Sequence, residues 1–351
     1  MKHFLSLLLI LFSSCAIAIE SSQHDSQDVI QQIDDAPKER NNQYPDWFSM
    51  SFLNLQEDLA SANKAGKKGL IVYFGQKDCG YCKALLEINW GKEQDIVDYT
   101  RKHFEVVAID IWGSREITNI DGNHMTEREF AEQEETDFTP TLIFYTNDGK
   151  ESLRLRGFHP PYQMQAAMEY IAEGFHEKET LATYMERANP PAKFELDDIN
   201  EEDFFDKPPY LMDRSHFPAD QPLAVFFEQR ACHSCDILHS EPLQDPIVRR
   251  QLRSFDVIQL DMYSDVPLIT PDNQKLTAAE WAKKLGLHYT PTIIFFDIHG
   301  EEVFRVDSVV RLYRMRGVLE YVLKEGYNDA PTFQRWREMQ QQNTLENQAS
   351  L

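Results

Sequence analysis

The chain is written twice. "LIVYFGQKDCGYC" aligns with "LAVFFEQRACHSC" at an offset of 153 residues, which carries Cys79 onto Cys232. "VVAIDIW" then matches "VIQLDMY", and "AEQEETDFTPTLIFYTNDGKE" matches "AKKLGLHYTPTIIFFDIHGEE", both at an offset of 151 residues. The match runs on through Arg154 and Arg305, Tyr162 and Tyr313, and Tyr170 and Tyr321, to "ETLATYME" against "PTFQRWRE". Self-similarity over so long a period means a duplicated domain, so a fold assigned to one half must also suit the other. At 351 residues the chain has length for two ordinary cores.

Each copy reads alike. Short β-rich runs at Val72–Phe74 and Val225–Phe227 lead straight into a C-x-x-C. In copy one "CKALLEINW" has helix-spaced apolar residues, and a second strand covers Val106–Ile111. An irregular stretch, "GSREITNIDGNHMT", precedes a helix opened by Thr126 with Glu129 in capping-box position. A strand at Leu142–Tyr145 follows Thr139-Pro140, "NDGKE" signals a hairpin turn, and a strand near Leu153–Leu155 leads to a helix around Tyr162–Glu173. The order β, α, β, α, β, β, α predicts an α/β fold with a mixed sheet and helices on its faces. Copy one has an extra leading helix, "SFLNLQEDLASANKAG". Between the copies, prolines and acids such as Glu195, Asp197, Asp198, Glu201 and Asp206 predict a linker. Phe194, Phe204, Phe205 and Tyr210 give that linker aromatic groups with which to dock.

The N-terminus combines a basic "MKH", an apolar "FLSLLLILF" and a small-residue "SSCAIA", a signal-peptide pattern too short to span a bilayer. Cleavage after Ala18 is expected, with a rival lipoprotein reading in which Cys15 is lipidated, the one route to a membrane. Export implies an oxidising compartment, the periplasm. Beyond Cys15 the only cysteines are Cys79, Cys82, Cys232 and Cys235. The net charge of −23 repels phosphate and argues against nucleic acid as a partner. Basic patches, phosphate loops, cofactor motifs and serine or metal catalytic sets are absent from the sequence.

A C-x-x-C between strand and helix places the first cysteine where unpaired backbone N–H groups stabilise a thiolate, with the second one turn on. The first attacks a disulfide and the second resolves the mixed disulfide, a two-electron device. A shared zinc site is disfavoured because the pairs occupy matching places in a repeat. A structural staple remains open, although so short a loop contributes little stability. Thr139-Pro140 and Thr290-Pro291 each precede an apolar strand, where a cis bond relieves the interruption of sheet entry.

Together, "YFGQKDCGYCKALLEINW", "AIDIWGS", "FTPTLIFYTNDGKE" and "RGFHPPYQM" resemble the SoxW-like exported thioredoxins, and "FFEQRACHSC" with "YTPTIIFFDIHGEE" is a looser match. The resemblance covers roughly 47–187 and 222–340 and implies two tandem thioredoxin-like domains. It implies that Cys79 and Cys232 attack, that Cys82 and Cys235 resolve, and that Pro140 and Pro291 are cis and face the cysteines. Backbone beside Thr139, Pro140, Thr290 and Pro291 would then bind substrate peptide by strand-like pairing. Where cytosolic thioredoxins carry tryptophan before the first cysteine, Asp78 and Ala231 stand, and where they carry a buried aspartate, Tyr73 and Phe226 stand. Glu87 and Glu228 are the remaining weak base candidates, each expected to be solvated. Asp78 opposes a thiolate at Cys79, His233 favours one at Cys232, and Gly80, Tyr81 and Ser234 complete the tuning positions. His159 in "GFHPPY" is expected at the surface.

The sequence therefore predicts an exported thiol–disulfide oxidoreductase of reductase or isomerase type, needing no cofactor or metal. Its partners would be protein thiols and disulfides and a thiol protein that donates or accepts electrons. Alternatives are a peptide-binding or chaperone-like protein with little turnover, or a dedicated reductant in cytochrome c maturation or sulfur oxidation. Boundaries are expected at 1–18 for the signal peptide, 46–187 and 222–340 for the domains, and 188–221 for the linker. Disorder is expected at 19–45 and 341–351.

Overall fold

A computed structural model describes residues 29–188, 199–230 and 232–349. The targeting segment with Cys15, part of the linker with Phe194, Glu195, Asp197 and Asp198, and Ala231 lie outside the described residues.

Copy one opens with helix α1 (Leu55–Lys64), capped by the Asn54 side chain. Strand β1 (Gly69–Gly75) is buried along its whole length, as its unbroken apolar run requires. It pairs in parallel with β2 (Phe104–Asp110) and antiparallel with β5 (Thr141–Thr146), and β5 pairs with β6 (Glu151–Arg156). The sheet order is β2-β1-β5-β6. Helix α2 (Gly80–Ala84) passes into a π-helical segment, Leu85–Lys92, and α3 (Gln94–His103) returns the chain to β2. The stretch read as irregular holds a hairpin, β3 (Glu116–Thr118) with β4 (His124–Thr126). Strands of three residues carry no periodic signal, and the turn is fixed by the Asn119 side chain, which accepts from Asn123 N at 2.9 Å. The capping box at Thr126 and Glu129 opens α4 (Glu127–Gln133), and α5 (Pro161–Ala172) and α6 (Leu181–Ala188) close the copy.

Copy two repeats the plan: β8 (Leu223–Glu228), α7 (His233–Ser240), α8 (Pro246–Leu252), β9 (Asp256–Asp261), β10 (Pro267–Ile269), β11 (Lys275–Thr277), α9 (Ala278–Lys284), β12 (Thr292–Phe296), β13 (Glu302–Val306) and α10 (Leu312–Leu323). Its main sheet, β13-β12-β8-β9, is the first sheet over again. Thr277 and Glu280 repeat the capping box. The linker does dock: β7 (Tyr210–Leu211) pairs with β10, and Phe205 is buried 5.3 Å from the Phe226 ring.

Two segments differ from the sequence expectation of disorder. From residue 29 onward the N-terminal stretch packs on copy one, where Ile30 and Ile33 join its core. The chain's end forms α11 (Gly326–Asp329) and then α12 (Phe333–Ala349), anchored by buried Phe333 and Trp336.

The copies meet through matching residues. Phe138 of copy one is fully buried in the core of copy two, 5.4 Å from Phe304 and 5.7 Å from Phe333. Its counterpart Tyr289 is buried against copy one, 5.5 Å from His159. The counterparts Gly157 and Ser308 touch, and Val309 N–H donates to the Phe158 carbonyl at 3.3 Å. This is an approximate two-fold relation, with each Thr-Pro turn directed at the other copy. Helix α12, packed on copy two through Phe333 and Trp336, also clasps copy one: Arg335 bonds Glu132 at 2.5 Å and the Ile111 carbonyl at 2.7 Å, and Gln334 bonds the Asp137 carbonyl at 2.9 Å.

Candidate active site

Cys79 is the N-cap of α2, in extended backbone, and its sulfur accepts the Cys82 N–H at 2.9 Å. Cys232 is the N-cap of α7 and its sulfur accepts the Cys235 N–H at 3.1 Å. A strand that ends just before a polar cap produces this geometry in both copies, so the first cysteine of each pair sits where helix donors are otherwise unpaired. Each pair forms a disulfide with Cα atoms 5.2 Å apart. Cys82 and Cys235 are deeper than Cys79 and Cys232.

The Thr-Pro turns face these sulfurs. Both Thr139-Pro140 and Thr290-Pro291 bonds are cis. Cys79 Sγ lies 3.5 Å from the Thr139 carbonyl oxygen and accepts from Thr139 Oγ1 at 3.4 Å. Cys232 Sγ lies 3.7 Å from the Thr290 carbonyl oxygen and 3.6 Å from Thr290 Oγ1. The structure thus gathers Cys79, Cys82, Asp78, Gly80, Tyr81, Thr139 and Pro140 in one place, and Cys232, Cys235, His233, Ser234, Thr290 and Pro291 in another.

The immediate surroundings of the two centres differ. Asp78 adopts a left-handed conformation at φ 62°, which aspartate tolerates. Its carboxylate accepts from Arg40 N at 2.5 Å and its carbonyl from the Arg40 guanidinium at 3.1 Å. Asn42 bonds the Cys79 carbonyl at 3.1 Å. The segment 34–42 therefore lies across the first centre as a strap, so close that a side chain at Gly80 would strike the Asp34 carbonyl. Tyr81 is buried, donates to Asp35 at 3.0 Å and accepts Arg311 N–H of copy two at 2.9 Å. Burial pushes its phenol well above the usual range. A cavity of about 510 Å³ opens beside Cys79, lined by Lys38 and Glu39 of the strap, Trp112 and Thr139 of copy one, and Arg314 and Arg337 of copy two.

Two sequence expectations are corrected. Glu228 is not solvated: it is fully buried at the end of β8, 3.0 and 3.1 Å from His239 Nε2 and 3.2 Å from Gln259. Burial opposes a charge on His239, but bonds to Glu228 and Glu202 outweigh it and raise its pKa above the ordinary histidine value. His159 is not at the surface: it is buried between the copies, and burial first, then His288, pushes its pKa down to about 4. His233 is half-buried, and its Nε2 has no hydrogen-bond partner among the described residues. Glu87 is exposed beside Lys83. Tyr73 and Phe226 are buried, and Tyr73 packs edge-on against Tyr44, Phe48 and Trp90.

Sequence reasoning missed Gln76 and Trp112. Trp112 Nε1 donates to Gln76 at 2.7 Å, and Gln76 donates to Thr139 Oγ1 at 2.6 Å, a chain that ends on the Cys79 sulfur. The signal was present, since Gln76 recurs in register as Gln229. Among the described residues there is no group of three or more metal-ligating side chains, and no helix long and apolar enough to cross a membrane.

The Thioredoxin-like domain family matches residues 55–172 and again 218–323. Among solved structures, the chain is similar to a thioredoxin-fold protein from Helicobacter pylori, at 24% identity over 38% of this chain and 93% of that one, with a TM-score of 0.31. It is also similar to a thioredoxin from Thermus thermophilus, at 22% identity over 33% of this chain and 81% of that one, with a TM-score of 0.27. The alkylhydroperoxide reductase AhpF from Enterococcus faecalis is similar over more of the chain, at 11% identity over 78% of this chain and 99% of that one, with a TM-score of 0.24. No curated protein matches the chain.

Proposed function

This chain belongs to the thioredoxin-like domain family, and from that premise we propose an exported reductase or isomerase that works through two separate dithiols. Thiol–disulfide exchange is its chemistry. The observation that carries the reading is the recurrence, in both copies, of a cysteine sulfur that caps a helix and faces a Thr-Pro carbonyl.

In the reduced chain the helix-start N–H groups favour the Cys79 thiolate. It attacks one sulfur of a substrate disulfide, a Cys79–substrate S–S bond forms, and the second substrate sulfur leaves as a thiolate. Cys82 loses its proton and attacks Cys79 Sγ, which releases the first substrate sulfur. Two electrons pass to the substrate, its two thiolates take up protons, and Cys79–Cys82 is left as a disulfide. Cys232 and Cys235 repeat the sequence. With no aspartate beneath either centre, the Cys82 proton leaves through water, while in copy two His239, bonded to Glu228 of β8, lies on the same helix as Cys235 and one turn past it.

Export to the periplasm rests on the pattern of residues 1–18, and the likeness to SoxW-like thioredoxins on the motifs around Cys79 and Thr139. Protein thiols and disulfides are the partners this chemistry suits. Replacing Cys79 and Cys232 together by serine abolishes exchange with both glutathione disulfide and insulin on this reading, and full activity in that variant refutes it. Fractionation of cells producing the native chain places the mature protein in the periplasm, and retention of the leader in the cytoplasm refutes export.

A further inference from the structure

The two centres differ in what covers the backbone beside the sulfur. In copy one, Arg314 from α10 of copy two donates from Nη2 to the Thr139 carbonyl at 3.0 Å. That same oxygen lies 3.5 Å from Cys79 Sγ. The guanidinium is buried, stacked 3.5 Å over the Tyr81 ring and 4.5 Å from Phe138. Thr139 itself is 1% exposed.

Among the described residues, copy two has no such occupant. Gln163 stands at the place matching Arg314, and it bonds His159 and Tyr162 of its own copy. Among the described residues, no group from copy one donates to the Thr290 carbonyl, and Thr290 is half-buried rather than buried.

An extended peptide that binds by strand-like pairing needs that carbonyl as an acceptor. A charge-assisted bond from a buried guanidinium is not displaced by a neutral peptide N–H without leaving a cation unpaired. Resting on the reading of both pairs as redox dithiols, we propose that Arg314 is the specificity-determining residue of the Cys79–Cys82 centre. It withholds the pairing groove from protein substrates and leaves the centre to small thiols and disulfides that enter by the cavity beside Cys79. Protein disulfides are then the business of the Cys232–Cys235 centre, and the duplication has divided one groove function between two sites.

The test uses full-length chains that keep one centre each, Cys232→Ser/Cys235→Ser or Cys79→Ser/Cys82→Ser, reduced and then mixed with glutathione disulfide or with insulin. The chain that keeps Cys79 is expected to react with glutathione disulfide but to reduce insulin at least about tenfold more slowly than the chain that keeps Cys232. Adding Arg314→Gln, the side chain of the matching place, raises its insulin rate about tenfold relative to its glutathione disulfide rate. Equal insulin rates in the two single-centre chains overturn the proposal, and so does an Arg314→Gln change that moves both substrates alike. If Arg314→Gln does not fold, the comparison of the two single-centre chains still decides. Failure of both centres to react with glutathione disulfide counts against the redox reading itself, a different result from either of these.

Discussion

Copy one and copy two share a sheet order, a helix-capping cysteine and a cis Thr-Pro turn, yet their two centres lie in different environments. Beneath the first lies an aromatic nest of Tyr73, Phe48 and Trp90, and above it a strap and a guanidinium. Beneath the second lies a buried carboxylate–imidazole pair, and its carbonyl has no strap over it among the described residues. Duplication preserves what the backbone needs in order to place two sulfurs, and leaves free the side chains that set access and electrostatics. Position 80 is glycine because strap backbone crosses it, and the matching position carries His233, over which no strap passes among the described residues.

The largest expected effect removes the comparison altogether. Cys79→Ser/Cys232→Ser loses dithiol exchange by several orders of magnitude, read as insulin turbidity and glutathione disulfide consumption, because each resolving cysteine lies beneath its partner and cannot start the reaction. Next is the pair found in copy two alone. His239→Leu leaves the Glu228 carboxylate buried and short of a partner, which costs about 3–5 kcal/mol, and hydrogen exchange shows the loss in β8 and α7 while β1 and α2 keep their protection. Equal loss in both copies would mean the pair supports the whole molecule and not one centre. Leu86 holds the matching place in copy one, so no equivalent test exists there.

A smaller effect belongs to the strap. Gly80→Ala drives a Cβ into the Asp34 carbonyl and loosens the segment 34–42, at a cost of about 1–3 kcal/mol. Reduced Cys79 should then react faster with iodoacetamide, with Cys232 unchanged. The smallest effect is the pH dependence of copy two. Because His239 has its pKa raised above 6.5 in the fold, the stabilisation from its charge is complete below pH 6.5 and is lost as pH rises through the raised value. Chemical denaturation at a series of pH values therefore shows copy two weakening into the alkaline range, and Glu228→Gln flattens that slope.

Much of this architecture was legible in the sequence. The central strands are continuous apolar runs, and the repeat made each weak signal count twice. The covering groups were not legible, for physical reasons. The strap carries its information in single polar contacts, Arg40 to Asp78 and Asn42 to Cys79, with no apolar period to announce it. Arg314 reads as an ordinary helix arginine until the fold carries it across 175 positions to Thr139. Glu228 looked solvated because a lone acid at a strand end usually is, and its burial depends on a histidine eleven positions later on another element. The last helix is amphipathic only over its first turns, where Phe333 and Trp336 anchor it.

The central claim is that each Cys pair is a working dithiol and not a staple. Redox titration of the full chain, with alkylation and mass analysis of the peptides carrying Cys79–Cys82 and Cys232–Cys235, tests it most directly. Two reversible two-electron transitions are expected, with separate midpoints between about −120 and −270 mV, the span of known dithiol proteins. A pair that stays closed below about −300 mV is structural, and would contradict the account for that copy.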